Sequence, residues 1–233
     1  MFAMKPEPSM ATSLRVLAAL LGYPDARLRG HLAEMRELLQ AERALSPSRR
    51  DELVALIDAL RRADPLDIEA KYVELFDRGR ATSLHLFEHV HGDSRDRGPA
   101  MIDLGKTYET AGLVLAEGEL PDYLPAVLEF VSTQPRREAK AFLTEMAHIF
   151  NAVFGALQQR ETAYASVLGA LLDLAGEKAS AVQLPPEEPM DESWAEPVVF
   201  DGCSSKGQAR PDQAQPIRIV RQPAPGATQG AST

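Results

Sequence analysis

The chain has 233 residues, 45% of them hydrophobic, which is enough apolar material for one sizeable core. Its formal net charge of -9 argues against non-specific nucleic-acid binding, which needs clustered Lys and Arg, and favours neutral or basic partners. The single cysteine, Cys203, cannot form an internal disulfide and fits a reducing compartment.

Apolar residues recur with helical spacing along most of the chain. Leu14, Leu17, Ala18 and Leu21 form the first stripe, and Leu28, Leu32, Met35 and Leu39 the second. The apolar run 16–21 is far shorter than the roughly 20 residues needed to cross a bilayer. It leads into Gly22-Tyr23-Pro24, not into a small-residue cleavage site, so a soluble cytoplasmic protein is expected. Ser46 as N-cap and Pro47 at the first helical position announce a helix carrying Leu53, Leu56, Ile57 and Leu60. Asp64-Pro65 repeats that signal before Ile68, Tyr72, Leu75 and Phe76, with Gly79 as a stop. Ser83 is placed to cap a short helix running through Val90. Met101, Leu104, Tyr108 and Leu115 predict a longer one. Leu124, Val127, Leu128 and Val131 follow Pro121-Asp122. Phe142, Leu143, Met146, Phe150 and Val153 follow Pro135, and Tyr164, Val167, Leu168, Leu171 and Ala175 complete the series.

About eight or nine helices without a sheet predict an all-α single globular bundle over residues 1–177. Composition changes near Lys178. Glu187, Glu188, Asp191, Glu192, Glu196 and Asp201 follow with no base among them, and Gly, Pro, Gln, Ser and Ala dominate from Ser204. Such a segment buries too little apolar surface to offset its ordering entropy, so 178–233 reads as a disordered acidic, Pro-rich C-terminal tail. Trp194 and Phe200 could dock the part near 190–200, and Val198-Val199 and 217–220 are its strand-like pieces.

Chemistry concentrates between Tyr72 and Asp103. His85, His89 and His91 fall in HLFEHVHGD, where His85 and His89 would share one face of a helix. With Glu88 or Asp93 they could approach a metal. The spacing is not HExxH, however, and no CxxC completes a zinc site, so no metal is expected. No nucleophile elbow, phosphate loop or dinucleotide fingerprint is present, and no enzymatic activity is expected. Asp77-Arg78-Gly79-Arg80 and the run Asp93 to Gly98 alternate acid and base around glycine. They read equally as capped turns, with ion pairs worth at most about 1 kcal/mol each, or as two hinged turns framing an apolar groove with a polar rim.

The stretch YVELFDRGRATSLHLFEHVHGDSRDRGPAMIDL, from Tyr72 to Leu104, resembles the signature of the NarJ-type nitrate reductase molybdenum-cofactor assembly chaperones, the delta-subunit family. LLGYPD at 20–25, LPDYLPAVLEF at 120–130 and EPVVF at 196–200 add to the resemblance, and Y-x-x-L-F at Tyr72 to Phe76 is similar to a motif of the wider TorD-like group. The resemblance implies an all-helical, cofactor-free chaperone. It implies binding to the N-terminal segment of the immature nitrate reductase catalytic (alpha) subunit, kept from the membrane subunit while the molybdenum cofactor and an iron–sulfur centre are inserted. On that basis Tyr72, Leu75, Phe76, Leu84, Phe87 and Tyr123 are expected to form an apolar floor. Asp77, Glu88, Asp103 and Asp122 would meet basic client residues, His85, His89 and His91 would line the rim, and Arg80, Arg95 and Arg97 would order the turns. A chaperone for another molybdoenzyme, a general peptide-binding module and a histidine-metal enzyme are the alternatives.

Overall fold

Capping side chains set where the early helices begin. Asp25, Ser46 and Asp64 each accept a hydrogen bond from a backbone N–H of the first turn that has no partner inside the helix, and so start α2 (Ala26–Ala41), α3 (Pro47–Arg62) and α4 (Pro65–Phe76). Pro47 and Pro65 occupy the first helical positions, where a missing N–H costs nothing. The computed structural model describes residues 10–92 and 94–180. Ahead of α2 lies α1 (Ala11–Leu21). After α4 come a 3-10 turn (Arg80–Thr82), α5 (Leu86–Val90), α6 (Arg97–Thr110), α7 (Leu124–Thr133), α8 (Arg136–Gln159) and α9 (Ala165–Ala175). Among the described residues the protein is all-α, and its extended pairing is one antiparallel bridge, His85 to Tyr123. The expected tail beyond residue 180, with Trp194, Phe200 and Cys203, lies outside the described residues, as does Asp93.

The core follows from which helices are apolar on more than one side. α1 buries Leu14, Val16, Leu17, Leu20 and Leu21, and α9 buries Val167, Leu168, Leu171, Leu172 and Leu174, so both are enclosed. The 24-residue α8 presents one apolar stripe, including Leu143, Phe150, Val153 and Leu157. It runs antiparallel to α9, and its Thr144 hydroxyl donates to the Ala175 carbonyl at 3.0 Å. α7 packs along α1, with Arg15 Nε donating to Ser132 Oγ at 3.2 Å. α3 meets α9 through Arg49, whose guanidinium bonds Asp173 at 2.9 Å and Glu52 at 2.5 Å. That guanidinium lies over Gly169, where an added Cβ would stand 2.5 Å from it, so the close approach needs glycine.

Two expected elements take a different form. No helix starts at Ser83. The chain makes a 3-10 turn, runs extended through Ser83 to His85, and begins α5 at Leu86. The cause is tertiary: Leu124 N–H donates to the Leu84 carbonyl at 2.8 Å and Leu86 N–H to the Asp122 carbonyl at 3.0 Å, bonds that hold the segment open. The longer stripe through Leu115 is also interrupted. α6 ends at Thr110, and Gly112, at φ +77°, turns the chain away. Gly98, expected in a turn, lies in the first turn of α6 instead.

Candidate functional site

The helix α4 divides the expected apolar floor. Tyr72 and Phe76 point inward and are 4% and 5% exposed, and Leu84 is 3% exposed. All three are core, because α4 shows the bundle a face four residues in period and Leu84 is pinned beside α7. They are not open to a client in this arrangement. Leu75 is half-buried and turns toward a different feature, an open groove of about 780 Å³ between α3 and α4 that Leu60, Ile68 and Tyr164 also line.

The core aromatics connect to the surface through tyrosine. Tyr72 packs against Phe76 at 4.8 Å between ring centres and edge-on against the exposed Tyr23 at 5.5 Å. Its hydroxyl donates to the Leu21 carbonyl at 2.7 Å. That uses its single proton, so at 3.2 Å the Tyr123 hydroxyl donates to Tyr72. The Tyr123 ring then lies 5.5 Å from the imidazole of His85. Burial raises the phenol pKa values of Tyr72 and Tyr123 above the ordinary range, and partial desolvation does the same for Tyr23. The Asp77 carboxylate adds a smaller rise in all three. Glu119 acts likewise on Tyr123, and Glu69 accepts the Tyr23 hydroxyl at 3.1 Å.

Asp122 organises the other side. It precedes α7 but does not cap it. Its carboxylate is wholly buried and turns to α5, which has no capping side chain of its own. It accepts the Phe87 N–H at 3.1 Å, while its backbone carbonyl takes that of Leu86. It also faces His85 Nδ1 at 3.3 Å and Arg97 at 3.9 Å, and Arg97 reaches Glu88 at 3.5 Å. Asp122, expected to meet basic client residues, is buried here and its partners in this structure are internal. Arg97 links the start of α6 to Glu88 of α5 and to Asp122.

The remaining expected residues divide between this region and its margins. His85 and His89 do not share a helical face. His85 precedes α5 and faces Asp122, whereas His89 Nε2 bonds the Ser83 carbonyl at 2.9 Å. His91 packs edge-on against Phe87 at 5.3 Å. Asp103 is exposed and pairs with Lys106 on its own helix at 3.6 Å. Arg80 lies in the 3-10 turn, and Arg95 is exposed in the turn before α6. Among the described residues no group of three or more His, Cys, Asp or Glu is assembled for a metal ion, and no helix is long and apolar enough to cross a membrane. Tyr23, Glu69, Glu119 and Tyr164 were not expected at a site. The signal for Tyr23 was its place in LLGYPD.

His85 carries a testable consequence. The hydrogen bond to Asp122, reinforced by that carboxylate's charge, outweighs partial burial and raises its pKa above the ordinary 6.5. Binding a proton more tightly when folded makes the stabilisation complete below pH 6.5 and loses it as pH rises through the raised value. The urea midpoint should therefore fall across that window, and His85→Gln should flatten the fall. An unchanged slope in the variant would assign the dependence to another group.

Three comparisons bear on this geometry. Residues 42–168 match the model of the nitrate reductase delta subunit family. The nitrate reductase molybdenum cofactor assembly chaperone NarJ of Escherichia coli K12 is 49% identical over 162 residues, which is 70% of this chain and 69% of that one. The nitrate reductase-like protein NarX of Mycobacterium tuberculosis is 35% identical over 164 residues, 69% of this chain but 24% of that one. Among solved structures, a chain from Archaeoglobus fulgidus assigned to redox enzyme maturation superimposes with a TM-score of 0.52. It is 18% identical and covers 76% of this chain and all of its own, a likeness of fold.

Proposed function

Because the chain belongs to the nitrate reductase delta subunit family, we propose that it is an assembly chaperone for nitrate reductase, with no catalytic activity of its own. It binds the N-terminal segment of the immature catalytic subunit in the cytoplasm, supports insertion of the molybdenum cofactor and delays membrane docking until the enzyme is mature. Relatives as similar as 49% identical carry the name of molybdenum cofactor assembly chaperones, not of catalysts.

The observation that carries the site is the pairing of accessible aromatic rings with carboxylates. Tyr23, 46% exposed, and the half-buried Tyr123 and His85 lie in the field of Glu69, Asp77, Glu88 and Glu119. An extended or helical segment with apolar and basic side chains suits such a surface. The rings supply affinity through a few well-packed anchors, and the acids supply orientation and on-rate. Phe87, Glu88, His89 and His91 extend the same surface along α5, Leu75 offers contact on the far side of α4, and Asp103 is an outlying carboxylate. Calorimetric titration with a synthetic peptide copying the N-terminus of the catalytic subunit should show saturable one-to-one binding that weakens with added salt. No binding would move the client contact to a folded surface of the enzyme.

A further inference from the structure

We propose that Arg97 is an internal stand-in for a cation of the client. A lysine or arginine of the bound segment takes its place between Glu88 and Asp122, and the start of α6 leaves with it. The inference rests on the client-binding reading above and adds how that site opens.

Two arginines already neutralise acids on this surface, and they are held very differently. Arg29 is fixed, at 2.6 Å from Glu69 and 2.5 Å from the Pro24 carbonyl. Arg97 is loose, at 3.5 Å from Glu88 and 3.9 Å from Asp122. Good charge-assisted bonds of this kind close to about 2.7–2.9 Å, so Arg97 gives up little when it is displaced. Asp122 is wholly buried, so an incoming cation can reach its carboxylate by the path that Arg97 occupies. The exchange is electrically neutral: one positive charge leaves and another enters, and no buried carboxylate is left without a partner.

The element bearing Arg97 is free enough to yield. α6 buries Tyr108 alone, whose hydroxyl bonds the Pro121 carbonyl at 2.8 Å, and Leu104 packs partly against the core. Ile102 is 61% exposed. Thr107 and Thr110 bond carbonyls of their own helix, and Lys106 pairs with Asp103 within it. Toward its N-terminal end the helix is tied by Arg97, which allows it to pivot about Tyr108.

The test compares the full chain with Arg97→Gln, using the catalytic-subunit peptide and a second peptide with its Lys and Arg replaced by Gln. Removing the internal competitor should tighten binding of the basic peptide about fivefold, as expected for an ion pair worth up to about 1 kcal/mol. The melting temperature of the variant should fall at the same time. A purely structural role predicts lower stability without tighter binding. Hydrogen exchange of the α6 amides from Ala100 to Leu104 should accelerate when the basic peptide is added to the unaltered chain. Unchanged or weaker binding by Arg97→Gln overturns the inference and leaves the client site standing. An equal gain for the uncharged peptide overturns the exchange of cations in favour of a merely loosened fold. If neither chain binds the basic peptide, the client site itself fails, and the inference with it.

Discussion

Asp122→Ala is expected to cost the folded chain about 3–5 kcal/mol, the range for breaking a buried charged network by removing one partner. The carboxylate is fully buried, takes hydrogen bonds from Phe87 N–H and His85 Nδ1, and has the Arg97 charge 3.9 Å away. Truncation leaves the Phe87 N–H and His85 Nδ1 without that acceptor and Arg97 with Glu88 alone, and the N–H of Phe87 lies in the first turn of a helix that has no capping side chain of its own. Asp122→Asn keeps an acceptor of similar shape but removes the charge, and should fall between alanine and the unaltered chain, at about 2 kcal/mol. The urea unfolding midpoint of the two variants measures both. A loss below about 1 kcal/mol in the alanine variant would mean that water can satisfy these donors and that the main-chain bonds of Leu84 and Leu86 hold the segment without the carboxylate.

Asp122 also shows where the sequence was legible. Caps and periodicity are local, and they placed α1 to α4 and α7 to α9 well: Ser46-Pro47 and Asp64-Pro65 start their helices as expected, and every residue of the Leu53 to Leu60 stripe is buried. Ser83 is the same capping residue type as Ser46, though no proline follows it. It fails as a cap because Asp122 and Leu124, more than thirty residues away in the chain, bind the backbone of Leu84 and Leu86 first. Nothing in the order of residues 80–92 could have revealed that. The Y-x-x-L-F motif was likewise visible as residues but not as directions. A single residue step around α4 separates Phe76, sealed among Tyr72 and Tyr164, from Leu75, which faces the groove beside α3. The surroundings of Tyr23 are not legible in the sequence, because they come from Tyr72 and Glu69, both on α4, in contact across the fold.

The division between core and client surface leads to opposite expectations for Phe76→Ala and Tyr23→Ala. Phe76 is 5% exposed, with its ring 4.8 Å from Tyr72 and 5.2 Å from Tyr164. Its truncation should destabilise the fold by about 3–5 kcal/mol, by lost burial, an unfilled cavity and the loss of two ring contacts. Any weakening of client binding should then appear only through the unfolded fraction, and should disappear when affinity is measured on the folded population at low temperature. Tyr23 is half exposed and gives up one edge contact and the hydrogen bond to Glu69. Its truncation should cost less than about 1 kcal/mol of stability, yet reduce affinity for the catalytic-subunit peptide about tenfold or more, as an aromatic anchor does. The paired measurement is a urea midpoint and a calorimetric Kd for each variant. The reverse pattern, a stable Phe76→Ala that no longer binds and a Tyr23→Ala that binds normally, would place the client contact beneath α4, so that binding would have to open the bundle to reach the motif.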